Sequence, residues 1–65
     1  MNKIKFYRDQ KKISQEQLAS ESGVSRQTIS VLENSDEYDV KIGTMIAISN
    51  ALGEKVQDVF FCEQS

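Results

Sequence analysis

Apolar side chains recur along this 65-residue chain at intervals of three and four, the spacing of helices that bury one face. The pattern predicts five short helices, at about 2–12, 15–22, 26–34, 42–52 and 56–61. No proline, repeat or low-complexity tract divides them, so the prediction is one all-α domain covering residues 1–65. The helix with the broadest apolar stripe is expected to be the most buried; the stripe is Ile42, Met45, Ile46, Ile48, Ala51 and Leu52.

The ends of the second and third helices carry clear local signals. Ser14 lies three residues before Gln17, the spacing at which a serine cap and a returning glutamine satisfy free backbone N–H groups. Gly23 follows the second helix, where the backbone commonly needs a positive φ. Ser25 is placed to cap the third helix. Residues 15–34 are therefore predicted to be two short helices joined at Gly23.

The segment SQEQLASESGVSRQTISVLEN, residues 14–34, resembles the helix-turn-helix of the phage repressor and Cro-like family of bacterial regulators. The segments IKFYRDQKKI before it and IAISNALGEKVQDVFF after it resemble the first, fourth and fifth helices of that family. The resemblance implies a five-helix lambda repressor-like domain that acts as a sequence-specific transcriptional regulator. It further implies a repressor that binds double-stranded DNA at a palindromic operator as a homodimer. The residues that carry the match are Gln15, Leu18, Ala19, Gly23, Val24, Ser25, Ile29, Leu32, Glu33 and Asn34.

The third helix would read base edges, because a helix fits the major groove and its N-terminal residues reach the bases first. Arg26 and Gln27 hold that leading position; an arginine fork matches guanine and a glutamine amide matches adenine. Ser30 can bond either groove edge, and Val31 can contact a thymine methyl group. The alternative is that Arg26 and Gln27 are only the solvated first turn of a helix.

A second set of residues is predicted to contact the DNA backbone. Gln15 begins the second helix, where free N–H groups favour a phosphate, and the resemblance gives it the same role. For Gln15 the alternative is ordinary solvation of a helix start, and Asn34 could do no more than end the third helix. The predicted phosphate contacts are Gln15, Ser25, Thr28, Asn34 and Lys41.

The resemblance also pairs Arg8 of the first helix with Glu33 at the end of the third. A partly buried pair would fix the angle of the third helix, whereas an exposed pair would contribute little to stability. Both readings are compatible with the sequence.

The charge balance is unusual for a DNA-binding protein. Ten acidic residues against eight basic ones give a net charge of -2, so DNA binding must depend on local placement of charge. The loop after the third helix contains Asp36, Glu37 and Asp39 where the family commonly has basic residues. Lys41 is then the remaining backbone contact there, and we expect a shallow dependence of affinity on salt.

The composition argues against an enzyme. The chain has no histidine and a single cysteine, Cys62, so the usual zinc and nucleophile-base groupings cannot be assembled, and no cofactor is expected.

No apolar run reaches the ~18 residues that span a membrane. The prediction is a cytoplasmic protein, bacterial or phage-encoded, that lies on the nucleoid when it is bound to DNA.

Two aromatic side chains are candidates for a dimer interface. Phe6 lies off the apolar stripe of the first helix, and Phe61 lies beside the core-facing Phe60. They could instead pack on each other within one chain, and Cys62 nearby would be an inert thiol.

The main alternative function is a protein-interaction module, an antitoxin or anti-repressor, that uses its acidic surface against a regulatory protein partner.

Overall fold

The structure, a computed structural model, describes residues 2–35 and 40–61, and it contains five α-helices in that part of the chain. They are α1 (Ile4–Lys11), α2 (Gln15–Ser22), α3 (Arg26–Asn34), α4 (Ile42–Leu52) and α5 (Val56–Phe60). The all-α prediction is confirmed, and α2, α3 and α4 have the predicted limits. α5 ends one residue early. The acidic loop residues 36–39 and the tail 62–65, with Cys62, lie outside the described residues.

The caps explain why α2 and α3 were predictable. The Oγ of Ser14 accepts the N–H of Gln17 at 3.0 Å, and Gly23 ends α2 with φ 75°. The side chain of Gln17 does not return to Ser14 but donates to Glu21 one turn later, at 3.1 Å. Gly53 ends α4 in the same left-handed conformation, with φ 72°.

The first helix is shorter than predicted, since it begins at Ile4 and ends at Lys11, where Lys12 takes the left-handed conformation with φ 58°. Asn2 lies outside α1 but its side-chain oxygen accepts the N–H of Ile4 at 3.1 Å. The same side chain donates to the carbonyl of Leu32 at 2.7 Å, near the end of α3. Asn2 therefore satisfies one free group at the start of α1 and one near the end of α3. The backbone N–H of Lys3 also donates to the carbonyl of Val59, at 2.7 Å, which holds α5 against this end.

The core lies where all five helices meet. α4 contacts α1, α2 and α5, and α1 contacts α3 and α5. Each helix contributes at least one fully buried apolar side chain to the cluster Ile4, Leu18, Ile29, Leu32, Ile48, Leu52 and Val59.

The prediction for the apolar stripe of α4 was wrong at two positions. Ile42 is 62% exposed and Ile46 is 44% exposed, and both lie on the side of the helix away from Ile48 and Leu52. The error has a simple cause: α4 carries apolar residues on every side, so their spacing does not identify which side the other helices cover. Ser49, which the pattern did not place in the core, is fully buried there.

Phe6 and Phe61 are both exposed, as their positions in the sequence suggested. The ring of Phe6 contacts that of Tyr7 edge to face, with centroids 5.1 Å apart. Among the described residues Phe6 and Phe61 do not form a ring pair, so the alternative in which they pack on each other is wrong. Their role in a dimer stays a prediction.

Candidate nucleic-acid interface

The turn between α2 and α3 is built by short hydrogen bonds. The N–H of Gly23 donates to the carbonyl of Ala19 at 2.9 Å, and the Oγ of Ser22 accepts the N–H of Val24 at 3.2 Å. Val24 packs against the core. The turn is therefore anchored by an apolar side chain, and the N–H groups of Gly23 and Val24 find partners no more than four residues away.

The outer face of α3 carries the four residues predicted to read bases. Arg26, Gln27 and Val31 are exposed and Ser30 is half-buried, while Ile29 and Leu32 hold the opposite side of the helix in the core. Arg26 makes no ion pair or hydrogen bond within residues 2–35 and 40–61. Val31 is 39% exposed, an apolar side chain on an otherwise polar face. The helix thus presents an exposed guanidinium, an amide, a hydroxyl and an isopropyl group on one surface.

The two hydroxyls at the start of α3 are joined. The Oγ of Ser25 accepts the N–H of Thr28 at 3.1 Å and donates to the Oγ1 of Thr28 at 2.8 Å. Ser25 is therefore the cap of α3, as predicted. The two hydroxyls share one hydrogen bond, so one of their two protons is left to donate elsewhere.

An ion pair joins α1 to the last turn of α3. The Nε of Arg8 donates to the Oε2 of Glu33 at 2.9 Å, and Nη2 donates to Oε1 at 3.3 Å. The side chains are only 12% and 4% exposed. Arg8 also donates to the carbonyl of Ile13 at 3.0 Å, so one guanidinium ties α1, the following turn and α3 together. The hydrogen bonds to Glu33 raise the pKa of Arg8 above its ordinary value, so the arginine keeps its charge.

Gln15 belongs to the same network, which sequence reasoning missed. Its Nε2 donates to the Oε1 of Glu33 at 3.0 Å, across 18 residues. Nothing in the local spacing signals this contact, because it depends on how α2 meets α3. The side chain predicted to bind a phosphate is therefore held in place by the carboxylate that also binds Arg8.

A shallow groove of about 350 Å³ runs beside this network. It is lined by side chains from α1, from the start of α2 and from the start of α3: Arg8, Ser14, Gln15, Glu16 and Arg26. The groove shows that the first turn of α3 and the first turn of α2 face the same side of the molecule. The predicted base contacts and the predicted phosphate contact at Gln15 are thus neighbours.

The remaining predicted contacts lie at the two ends of the loop that follows α3. The Nδ2 of Asn34 donates to the carbonyl of Ser30 at 2.8 Å, and the residue is exposed at the end of α3. Lys41 is the exposed residue that precedes α4. The acidic residues between them, on which the expected loss of loop contacts rests, fall in 36–39 and are outside the described residues.

Most of the chain's basic residues lie in one segment, which the net charge of -2 does not reveal because it sums over the whole chain. Five of the eight basic residues lie within residues 3–12, where Asp9 is the one acidic residue: Lys3, Lys5, Arg8, Lys11 and Lys12. Lys12 is exposed, and it makes no ion pair or hydrogen bond through its side chain within the described part of the chain. It is the residue that follows the last residue of α1, and it stands three residues before Gln15. A count of charge by segment would have found this.

The sequence is similar to a known protein family and to two known proteins. A family model described as helix-turn-helix matches residues 4–59. The chain belongs to the helix-turn-helix family of transcriptional regulators. It is 40% identical over 62 residues to an uncharacterized HTH-type transcriptional regulator of Methanocaldococcus jannaschii, covering 95% of this chain and 92% of the relative. It is 36% identical over 63 residues to an uncharacterized HTH-type transcriptional regulator of Bacillus subtilis, covering 97% of this chain and 94% of that protein.

These matches confirm the resemblance drawn from residues 14–34, and the family is one of transcriptional regulators rather than of enzymes. Within the described ranges no helix is long and apolar enough to cross a membrane. The longest, α4, has 11 residues.

Proposed function

We propose that this helix-turn-helix protein is a cytoplasmic repressor that binds a palindromic operator as a homodimer, with α3 in the major groove. The observation that carries the proposal is the outer face of α3, where Arg26 is exposed and unpaired within the described residues while the opposite side is fixed in the core. A free guanidinium on a rigid helix is suited to a guanine, which presents two acceptors to the major groove. Gln27, Ser30 and Val31 would read the neighbouring bases.

Backbone contacts would surround that face. Gln15 is half-buried and pinned to Glu33, but its second amide proton can still donate to a phosphate at the start of α2. Ser25 and Thr28 share one hydrogen bond between their hydroxyls, so the pair has one proton left that can donate to a phosphate. Asn34 and Lys41, exposed at the two ends of the loop, complete the proposed set. These contacts fix the register of α3 and carry no sequence preference of their own.

The test is selection from random-sequence DNA followed by sequencing. We expect recovery of a palindromic site in the wild type, and Arg26→Ala should relax the preference at one position of each half-site by about tenfold, the lower part of the range for a good base contact. Lys55→Ala is the control, since Lys55 precedes α5, which carries none of the proposed contacts. No enrichment at low salt would reject the proposal and favour the protein-interaction module, for which the acidic loop is the supporting observation.

Salt dependence tests whether the basic segment takes part. If Lys12 lies against a phosphate that flanks the half-site, Lys12→Gln should lower the slope of log affinity against log salt by about 1, with the selected sequence unchanged. Lys55→Gln should leave the slope as it is. The measurement is fluorescence anisotropy on one operator duplex over a series of salt concentrations. Equal slopes for the two variants would restrict the contacts to α2, α3 and Lys41.

A further inference from the structure

Helix α4 has no charged residue, in a chain of which 28% is charged. Its buried side packs in the core, but its outer side, Ile42, Gly43, Ile46 and Asn50, faces solvent. Two exposed isoleucines one turn apart, with a glycine and an asparagine beside them, form a neutral, largely apolar face. We call these four residues the α4 face.

We propose that the α4 face is the dimer interface, where α4 packs against α4 of a second copy about a two-fold axis. The inference deepens the proposed function, which requires a dimer but does not say which surface forms it. An interface of this kind is made by the same patch on both copies, so the patch must be complementary to itself. The four residues of the α4 face carry no charge, so a second copy brings no charge of theirs against them; the nearest charge along the chain, Lys41, lies at the N-terminal end of the face.

The two exposed phenylalanines meet the condition less well. The Nζ of Lys3 lies 5.3 Å from the centre of the Phe6 ring, and Lys5 is its neighbour in the sequence. A two-fold contact through Phe6 would bring the lysines of both copies together, and like charges would oppose it. Phe61 is a single exposed ring at the end of α5. The α4 face is the surface among the described residues that joins two large exposed aliphatic side chains without a charge.

Gly43 supplies an independent argument. A Cβ placed on Gly43 would meet nothing within 4 Å, and its φ is not in the positive range that requires glycine. Within the described residues, neither close packing nor backbone conformation calls for a glycine here, although glycine disfavours a helix relative to residues with a side chain. The α4 helix of a second copy could pack closely at Gly43, because the absence of a side chain there lets two backbones approach each other. Gly43 follows Ile42 in the first turn of α4 and borders the apolar part of the face.

The size of the face sets the strength of the dimer. Four positions over nine residues cover roughly 12 Å of helix, well below the ~800 Å² per partner of a standard interface. We expect a dissociation constant in the micromolar range or weaker for the free protein, with dimers favoured on a palindromic duplex because both half-sites are then occupied.

The test compares Gly43→Gln and Ile46→Lys with Phe61→Lys. Because the added side chain at Gly43 meets open space, Gly43→Gln should keep or raise the melting temperature. In sedimentation equilibrium up to hundreds of micromolar, both α4 variants should weaken the dimer at least tenfold, and Phe61→Lys should not. A wild type that is monomeric at all concentrations and also on the palindromic duplex, or a dimer lost only in Phe61→Lys, would overturn the proposal.

A half-site duplex separates this inference from the function on which it rests. Gly43→Gln should bind a single half-site as the wild type does and lose affinity only for the full palindrome, since α3 is untouched. If neither protein binds DNA but Gly43→Gln still breaks the dimer, the α4 interface stands and the proposed function fails. If both bind the palindrome equally well, the interface is rejected and the DNA-binding proposal is kept.

Discussion

Replacing Arg8 by alanine should lower the free energy of unfolding by about 3–5 kcal/mol, the effect of leaving one charge of a buried pair without its partner. Both side chains are almost fully buried, and among the described residues Glu33 would keep the side-chain bond from Gln15 alone after the loss of Arg8. A domain of 65 residues has a total stability of roughly 3–10 kcal/mol, so much of the variant should be unfolded at room temperature. Urea unfolding followed by circular dichroism measures the change.

Two comparisons show whether the loss comes from the buried charge. Lys5→Ala removes a pair with Asp9 whose side chains are 68% and 56% exposed, and it should change stability little. Arg8→Met combined with Glu33→Leu removes both charges and keeps apolar volume, so it should recover much of the stability lost in Arg8→Ala. If Arg8→Ala behaves like Lys5→Ala, the pair acts as a surface pair despite its burial.

The ion pair also connects stability to recognition. Glu33 accepts hydrogen bonds from Arg8 and from Gln15, so the carboxylate that fixes the end of α3 also holds the side chain at the start of α2. Arg8, Gln15 and Arg26 line the same groove. A change in the angle of α3 would therefore move the proposed base contacts and the proposed phosphate contact together.

Local signals made the middle of the fold predictable. Ser14, Gly23 and Ser25 determine the limits of α2 and α3 through bonds that reach no further than four residues, and such bonds can be recognised from spacing. The bond from Asn2 to the carbonyl of Leu32 could not be recognised in this way, because it spans 30 residues. The Gln15 contact was missed for the same reason, since it spans 18 residues.

The face of α4 shows a different limit of sequence reasoning. Periodicity identifies the buried side of a helix only when polar residues mark the other side. In IGTMIAISNAL no charge does so, and the isoleucines at 42 and 46 looked equivalent to the one at 48. Which of them is covered depends on where α1, α2 and α5 approach α4, and that information is not local.

Replacing Ser49 by alanine should raise the free energy of unfolding by about 2 kcal/mol. Ser49 is 0% exposed, and its Oγ has no hydrogen-bond partner among the described residues. A buried hydroxyl that has lost its bonds to water and gained none costs about 1–3 kcal/mol by protein mutational data, and alanine removes the hydroxyl without adding volume. Alanine also favours a helix slightly more than serine does.

The control for helix propensity is Ser20→Ala, the same substitution on the exposed side of α2. Ser20 makes no side-chain bond within the described residues, so its variant should show only the small propensity gain. The difference between the two variants in urea unfolding therefore isolates the buried hydroxyl. Equal gains would mean that the Ser49 hydroxyl finds a partner in solution, for instance a carbonyl one turn back in α4. A loss of stability in Ser49→Ala would mean that this hydroxyl supports the packing of α4, because the substitution changes no other atom in the core.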